Sequence, residues 1–339
     1  MKKYKRLTYE DRIKIETLLD QGKSKTDVCV YLERSLSTIT REIKSYSGLR
    51  YQAGLAHSEA TKFIRKRHNC CKILSYPLLE YYIILRLRQG WSPEQISHRL
   101  KEKQQLNPRM QVSHESIYTY IYIKAKGALK KELISHLRQE KGARKRPKSR
   151  LDKVEIIPNR IGIEHRPEEV LDRIIPGHWE SDLIIGKNQK SAIGTIVERT
   201  TRYVIIVKLR NRGAEEVRKA FAHELKDLPD YMLKTMTHDN GVEMCQHKLF
   251  TKETHMQVYF AHPYSPWERG TNENTNGLIR DFFPKGTDFN IIPSGRIKNV
   301  QELLNNRPRK ILNWSTPNEV FNDMILKGKS GVSYPEKVI

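Results

Sequence analysis

The order of short apolar segments after residue 170 most restricts how this 339-residue chain can fold. Three consecutive segments have the length and composition of β-strands, and the pattern then alternates between helix and strand. This order predicts an α/β domain with a mixed sheet flanked by helices. The predicted strands are His178–Ile185, Ala192–Glu198, Tyr203–Leu209, Leu233–Asp239 and Gln257–Phe260, and the main helices are Ala214–Leu228 and a segment from Gly270 to about Phe283.

Three acidic residues lie within these elements. Asp182 is in the first predicted strand, Asp239 closes the fourth, and Glu273 begins the last helix. Hard divalent cations prefer oxygen ligands, and two of them about 3.5–4 Å apart can activate an attacking oxygen and neutralise a leaving one at a phosphodiester. Any one of the acids alone is explained equally well as a cap or a surface charge. Together they predict a catalytic site in which Asp182, Asp239 and Glu273 also bind two Mg²⁺ or Mn²⁺ ions.

The predicted helix from Gly270 can bury one side and present Glu273 on the other. At about 100° per residue, Glu273 falls on one face with Asn276, Gly277 and Arg280. Pro284 is expected to end the helix. The opposite, buried face is predicted to carry Thr275, Leu278, Ile279 and Phe282.

Four stretches around these acids carry a family resemblance. They resemble the DDE transposases of bacterial insertion sequences and, within them, the IS30 family, and 33 residues separate Asp239 from Glu273, the spacing that the resemblance predicts. Ser181 departs from the pattern, since most relatives are expected to carry glycine there. Similar organisation extends to about residue 325. The matching stretches are Gly177–Ile184, Thr237–Gly241, Pro263–Leu278 and Asn305–Lys310.

The resemblance implies both a fold and an activity. The fold is a ribonuclease-H-like catalytic domain, which places the ends of the first and fourth strands together and makes Asp182 and Asp239 neighbours. The activity is that of a transposase that binds the terminal inverted repeats of its element and catalyses metal-dependent DNA cleavage and strand transfer. The implied partners are double-stranded DNA, as element ends and target, and further copies of the chain, because two DNA ends must be paired in a homodimer or higher oligomer.

The distribution of charge independently indicates a nucleic-acid partner. Residues 1–150 carry 34 Lys and Arg against 14 Asp and Glu, whereas residues 151–339 carry 28 against 25, so most of the net charge of +23 is N-terminal. A domain that displaces counterions from phosphates has this electrostatic character. A basic surface that serves only solubility is the simpler alternative.

The first 46 residues are predicted to form an all-α helix-turn-helix domain. Three short helices are expected over about Tyr9–Leu19, Lys25–Leu32 and Leu36–Lys44, the first with Thr8 as cap, Asp11 completing a capping box and Gly22 after its end. An ordinary three-helix bundle with a solvated face would have the same pattern. The predicted core residues are Ile15, Leu19, Val28, Leu32, Leu36, Ile39 and Ile43.

The third of these helices is the predicted DNA-reading element. Small hydroxyls beside long basic side chains suit base edges and flanking phosphates in a major groove. The predicted DNA contacts on this helix are Ser37, Thr38, Thr40, Arg41 and Lys44.

A second helical module and a basic linker are predicted before the sheet. Ser92-Pro93 and Ser113-His114 are strong helix starts, so this module is a second DNA reader or a dimerisation element. The run Lys141–Arg150 is densely basic and lacks an apolar period, which is typical of an exposed linker. The predicted domains are 1–46, 47–140, a linker over 141–170, a catalytic domain over 171–325 and a tail over 326–339.

Several residues near the acids are assigned secondary roles. Arg269, with Trp267, is predicted to clamp or stack on a terminal base, and Arg280 to hold either a phosphate or the strand end; local packing or an exposed charge are the alternatives. Asn240 is expected to orient Asp239, to contact the substrate or, more simply, to form the turn. His178 and His238 are left out of the site because hard cations do not require them.

The remaining composition favours a cytoplasmic protein. Cys29, Cys70, Cys71 and Cys245 have no zinc-site spacing and are predicted to be reduced thiols, and the sequence contains no apolar segment long enough to span a membrane. Two other functions fit part of the evidence. A binding-only regulator would not need the three acids, and a ribonuclease-H-type nuclease would not need the basic N-terminal modules.

Overall fold

The computed structural model describes residues 6–46, 48, 50–69, 71–137, 157–263 and 265–330, with the side chains of 63–69 and 266 excepted. The chain divides after Pro77 into two compact units. The predicted basic linker Lys141–Arg150 and Cys70 lie outside the described residues. Cys29, Cys71 and Cys245 are free thiols.

The N-terminal unit is built from helices with strong local start signals. Thr8 and Asp11 form the predicted capping box of the first helix, and Ser24 and Asp27 form another at the second. Such boxes satisfy the first N–H groups of a helix within its own sequence, and the three predicted helices are confirmed within one residue. The helices are α1 (Tyr9–Asp20), α2 (Lys25–Leu32), α3 (Leu36–Ser45), α4 (Ala53–Asn69) and α5 (Lys72–Ser75).

The core of this unit contains one fully buried residue from each of the first three helices: Ile15, Val28 and Ile39. Arg12 and Glu42 join α1 to α3 through an ion pair of 2.6 Å. Leu36 was predicted in the core, but its side chain is 50% exposed. It is the first residue of α3, where the helix has not yet reached the packed interface.

The second unit begins with a helical segment. Ser92 caps its second helix, with Pro93 in the first turn, and Ser113 caps its third, as predicted. Tyr120 is buried and donates to Glu80 Oε1 at 2.6 Å. Its helices are α6 (Pro77–Arg88), α7 (Pro93–Lys103), α8 (His114–Thr119), which continues into a π-helical turn (Tyr120–Lys124), and α9 (Gly127–His136).

Residues 157–175, which include part of the predicted linker, pack against the sheet domain. Ile157 and Val170 are buried, and Gly162 forms a parallel bridge with Phe260. A short 3₁₀ turn (Ile163–His165) and helix α10 (Glu169–Asp172) follow one another here. Apolar residues at two points of this segment explain why it is held to the domain.

The sheet has five strands in the order β3-β2-β1-β4-β5. The pairs β1–β2 and β2–β3 are antiparallel, whereas β1–β4 and β4–β5 are parallel, which confirms the mixed, ribonuclease-H-like sheet. Three strands have the predicted bounds, and β3 and β4 are shorter than predicted. The strands are β1 (His178–Ile185), β2 (Ala192–Glu198), β3 (Val204–Lys208), β4 (Thr235–His238) and β5 (Gln257–Phe260).

Helices cover both faces of the sheet. On one face, α11 (Ala214–Leu225) and α12 (His247–Thr254) pack in a core with Trp179 and Met236. The opposite face packs against α13 (Gly270–Phe282) and α14 (Ser294–Asn305) through Ile184 and Ile193. Side chains alternate between the faces along a strand. Even-numbered residues of β1 therefore point towards α13.

The last helix, α15 (Pro317–Lys329), connects the sheet domain to α7. Arg99 is buried and its Nη2 donates to Glu319 Oε1 at 2.5 Å, while the Gln95 amide donates to Pro308 O at 2.7 Å. The His98 and Trp314 rings stack with centroids 4.0 Å apart. The second helical module is thus docked on the C-terminal end of the sheet domain. Helix α15 also runs past residue 325, the predicted end of the catalytic domain.

Candidate active site

The register of the parallel pair brings Asp182 and Asp239 to adjacent positions. β1 pairs with β4 so that His178 faces Thr235 and Glu180 faces Thr237, partners 57 apart in number. Asp182 and Asp239 have the same separation, and Asp239 directly follows β4. Side chains alternate between the two faces of a strand. Met236 on β4 and Trp179 on β1 point into the opposite core, so the side chains of Asp182 and Asp239 both point towards α13. Tertiary structure therefore brings two of the three predicted acids together beside the end of β4.

Asp182 is oriented by contacts to both of its carboxylate oxygens. Leu183 N donates to Oδ1 and Asn276 Nδ2 donates to Oδ2, each at 2.9 Å. Asn276 is itself held by Thr195, whose hydroxyl donates to Asn276 Oδ1 at 2.9 Å. Burial raises the pKa of Asp182, and it outweighs the opposing positive charge of Arg269. One quarter of the side chain is still exposed, so a ligand can reach it.

Asp239 has a more cationic environment. Burial opposes its ionisation, but the hydrogen bond from His238 and the charges of His238 and Arg269 hold its pKa well below the usual range. His238 Nδ1 lies 2.9 Å from Asp239 Oδ1, and Gly241 N donates to the same oxygen at 3.1 Å. The buried His238 has a raised pKa, because its contact with Asp239 outweighs the effect of burial. Sequence reasoning left this histidine out; its position next to an acid at a strand end was the available signal.

A possible metal-ligand group surrounds Asp239. His238, Asp239 and Glu243 each offer a ligand atom, and these atoms lie within 4.8 Å of one another. Glu243 belongs to a 3₁₀ turn (Val242–Met244) just after β4. Among the described residues this group, rather than the three predicted acids, meets that distance limit.

Arg269 lies between the two aspartates. Its Nη1 is 3.6 Å from Asp182 Oδ1 and its Nη2 is 3.3 Å from Asp239 Oδ2. Nη1 also donates to Ser181 O at 3.0 Å, and only 13% of the side chain is exposed. The sequence predicts a DNA contact for this residue, and that prediction stays untested; in the structure its guanidinium contacts the two predicted catalytic aspartates.

The start of α13 is anchored to the sheet by a buried carboxylate. Glu180 is fully buried, accepts from Asn272 N at 2.8 Å and lies 3.3 Å from Arg199 Nε. The Asn272 amide also donates to Glu180 O at 2.9 Å. Glu273 is the next residue; it is exposed, and it lies on the helix face of Asn276, which contacts Asp182. Glu273 is therefore an exposed residue of the first turn of α13, directly after this anchor. The sequence analysis assigned no role to Glu180 or Asn272, although both lie within stretches that match the family.

The other residues singled out near the acids have varied positions. Arg280 Nη2 donates to Ile185 O at 2.7 Å, so it holds the strand end, one of its two predicted roles. The Asn240 amide donates to Ala261 O and its carbonyl accepts from Arg160, so it does not orient Asp239. Trp267 is 72% exposed and is not part of local packing. His178 contacts Thr235 and Glu169, away from the acids.

The predicted DNA contacts of the N-terminal unit share one helix. On α3, Ser37, Arg41 and Lys44 are exposed, and Thr38 and Thr40 are partly exposed. The Ser35 hydroxyl caps this helix and lies within 3.0 Å of the hydroxyls of Ser37 and Thr38. Helix α3 therefore exposes a polar and basic face to solvent.

Comparison with known families matches both regions. A helix-turn-helix domain model matches residues 3–45, and an integrase core domain model matches residues 173–266. The integrase match includes Asp182 and Asp239 and ends before Glu273.

Full-length relatives decide the family. The chain is 38% identical to the transposase for insertion sequence element IS1086 of Cupriavidus metallidurans over 95% of its own length and 96% of that protein. It is 37% identical to the transposase InsI for insertion sequence element IS30A of Escherichia coli, covering 93% of this chain and 83% of the relative. With the transposase for IS4351 of Bacteroides fragilis it shares 38% identity over 95% of this chain and 97% of the relative. The chain belongs to the transposases of the IS30 family.

The matches confirm that the transposase contains a helix-turn-helix domain and an integrase core. Its helix-turn-helix domain binds DNA, and its integrase core makes it a polynucleotidyl transferase, a domain type that depends on divalent metal ions. None of the helices in the described part of the transposase combines the length and apolar character needed to cross a membrane.

Proposed function

We propose that this transposase recognises the terminal inverted repeats of its own element through α3 and cleaves and joins DNA at Asp182, Asp239 and Glu273. The observation that carries the proposal is the convergence of Asp182 and Asp239 at one strand end, on the face covered by α13. Two other features support it: Glu273 is exposed in the first turn of α13, three residues before Asn276, which contacts Asp182, and the family has an integrase core.

The residues at this site fit two Mg²⁺ or Mn²⁺ ions. Asp182 and Asp239 are partly exposed oxygen donors, and a guanidinium already lies between them, so the site stabilises positive charge. Bound ions would activate the attacking oxygen and neutralise the leaving one. Asp182, Asp239 and Glu273 would hold these ions, and Asn276 and Leu183 would keep the Asp182 carboxylate in a single orientation.

The reaction proposed for this site has two steps. Water attacks the phosphodiester at the element end and leaves a 3′-hydroxyl, which then attacks a phosphodiester of the target DNA. Each attack forms one P–O bond and breaks another, so no covalent enzyme intermediate is needed. One constellation of carboxylates serves both steps.

DNA recognition would depend on the N-terminal part of the chain. The hydroxyls and cations of α3 suit base edges and phosphates in a major groove, while Arg269 contacts the two aspartates and Arg280 holds the end of β1. We propose the domain plan predicted above, with residues 141–170 as the basic linker. Pairing two element ends implies a homodimer or higher oligomer on DNA.

A cleavage assay tests this proposal against its two rivals. The full chain is incubated with Mg²⁺ and a labelled inverted-repeat end, as wild type, Asp239→Ala, and a double α3 variant, Thr40→Ala with Arg41→Ala. Asp281→Asn, an exposed acid of the same helix as Glu273, is the matched control and should cleave like wild type. We expect nicks and joined products from the wild type, loss of both in Asp239→Ala with binding kept, and weakened binding in the α3 variant.

Each rival predicts a different result. Binding without any Asp239-dependent cleavage would support a binding-only regulator, and cleavage confined to RNA–DNA hybrids would support a nuclease. Either result would contradict the proposed transposase chemistry at this site.

A further inference from the structure

Arg269 makes a set of contacts that a purely structural arginine would not need. It is the last residue of a 3₁₀ turn (Pro266–Arg269) immediately before α13. Its two terminal nitrogens reach different carboxylates, Nη1 at 3.6 Å from Asp182 Oδ1 and Nη2 at 3.3 Å from Asp239 Oδ2. A planar guanidinium suits such a fork, whereas a single ammonium group would contact one acid at a time.

Two neighbouring carboxylates repel each other when no cation accompanies them, and the cost increases with burial. Arg269 is largely buried and supplies one positive charge to both acids. A divalent ion would use oxygens of the same carboxylates as ligands. The guanidinium and the ion therefore compete, because a close contact of one cation with these carboxylate oxygens weakens the contact of the other.

We propose that Arg269 is an internal counter-cation that stabilises the Asp182–Asp239 pair and competes with divalent metal ions for their oxygens. This inference rests on the proposed function, since it takes the two aspartates as metal ligands. It assigns Arg269 a positioning role at the metal site, distinct from the base clamp that the sequence predicted. Metal binding would therefore be weakened by the side chain that keeps the ligands together.

Arg280 provides a matched comparison. It also projects from the α13 region to β1, and its Nη2 donates to Ile185 O at 2.7 Å, much as Arg269 Nη1 donates to Ser181 O at 3.0 Å. Among the described residues, the hydrogen bonds of Arg280 end on backbone carbonyls of Ile185, Phe283 and Pro284. Removing Arg280 therefore costs a comparable strand contact and leaves the two aspartates unchanged.

The test measures Mn²⁺ binding to the full chain without DNA, by calorimetry or by the electron paramagnetic resonance of free Mn²⁺. Arg269→Gln should bind Mn²⁺ about tenfold more tightly than wild type, because a cation close to both ligands has been removed. Arg280→Gln should bind with wild-type affinity. In EDTA, Arg269→Gln should have a lower Tm than Arg280→Gln, and saturating Mn²⁺ should raise its Tm by more.

Arg269→Lys and Asp239→Asn complete the design. The lysine keeps one charge but cannot contact both acids, so its Mn²⁺ affinity should lie between those of wild type and Arg269→Gln; it also serves if the glutamine variant fails to fold. Asp239→Asn should lose most of the Mn²⁺ binding. If Asp239→Asn binds like wild type, the metal site of the proposed function is wrong, and this inference with it. If binding depends on Asp239 but both Arg269 variants retain wild-type affinity, only the competition is refuted.

Discussion

The N-terminal helical unit and the sheet domain assemble their functional residues in opposite ways. In the first, all five predicted DNA contacts lie within nine positions of α3, and the caps that start its helices are also local. In the second, Asp182 and Asp239 are brought together by strand pairing, and Glu273 is presented by a helix whose start is tied to β1 by Asn272 and Glu180. The proposed DNA reading would thus depend on one element, whereas the proposed chemistry would depend on the sheet being correctly formed.

This difference predicts how far the structural effect of a substitution extends in each region. A substitution on the exposed face of α3 removes a contact and leaves its helix intact. A substitution in the core that packs against the sheet changes the register or spacing of the separate strands and helices that carry the three acids.

Asp182→Asn should separate the two regions most completely. The loss of one charged ligand should reduce strand cleavage by about a thousandfold or more, since a metal-supported step contributes several kcal/mol. Binding of the inverted-repeat end, measured by fluorescence anisotropy, should change less than about twofold, because α3 is untouched. A parallel loss of binding and cleavage would show that the two regions are not separable.

Phe221→Ala should destabilise the sheet domain by about 3–5 kcal/mol, as expected for a buried phenylalanine. Phe221 is fully buried in the core shared by α11 and the sheet, and a Cβ added at Gly194 on β2 would lie 2.2 Å from its ring. Urea unfolding monitored by tryptophan fluorescence measures the loss. Leu249→Ala, at a 49% exposed position of α12, is the control and should cost far less. Equal effects would contradict the assignment of this core.

Glu319→Gln should weaken the docking of α7 on α15 by about 1–2 kcal/mol at pH 7, because buried Arg99 loses one of its two charged partners and keeps Glu102. Burial opposes ionisation of Glu319, but hydrogen bonds from Thr316 N and Arg99 lower its pKa to about 2. The lowered pKa means that the ionised form stabilises the fold above the unfolded-state pKa and that this contribution is lost as the pH falls towards 2. The difference between wild type and variant in urea unfolding should therefore be full at pH 7 and shrink below about pH 4.5. A difference independent of pH would refute the ionic origin.

Ser24→Ala should have the smallest effect, a loss of about 1 kcal/mol confined to the N-terminal unit. Ser24 accepts from Asp27 N and caps α2 entirely through neighbouring residues. Ser24→Gly should cost only a few tenths of a kcal/mol, since glycine is also accepted at this position. Amide hydrogen exchange in α2 measures the loss of stability caused by each of the two substitutions. Changed exchange in β1 or β4 would show that local caps influence the sheet.

Most of the helices and strands, and the residues proposed for the chemistry, could be predicted from the sequence alone. Capping boxes, turn residues and apolar periods are local, so α1 to α3, β1, β2, β5 and the start of α13 could be predicted closely. The spacing of the acids and the long motifs around them identified the family and pointed to Asp182, Asp239 and Glu273. Leu36 was misplaced because a period does not show where a helix first meets its neighbours.

The contacts that hold the carboxylates of the candidate site in place could be seen only in the folded structure. Arg269 between two aspartates, Asn276 on Asp182 and buried Glu180 at the start of α13 are contacts between residues about 30 to 94 positions apart. Such contacts follow from strand register and helix docking, which depend on the packing of the whole domain rather than on neighbouring residues. The pattern along the chain therefore indicated which residues to propose for the chemistry, and the fold decided which charges surround them.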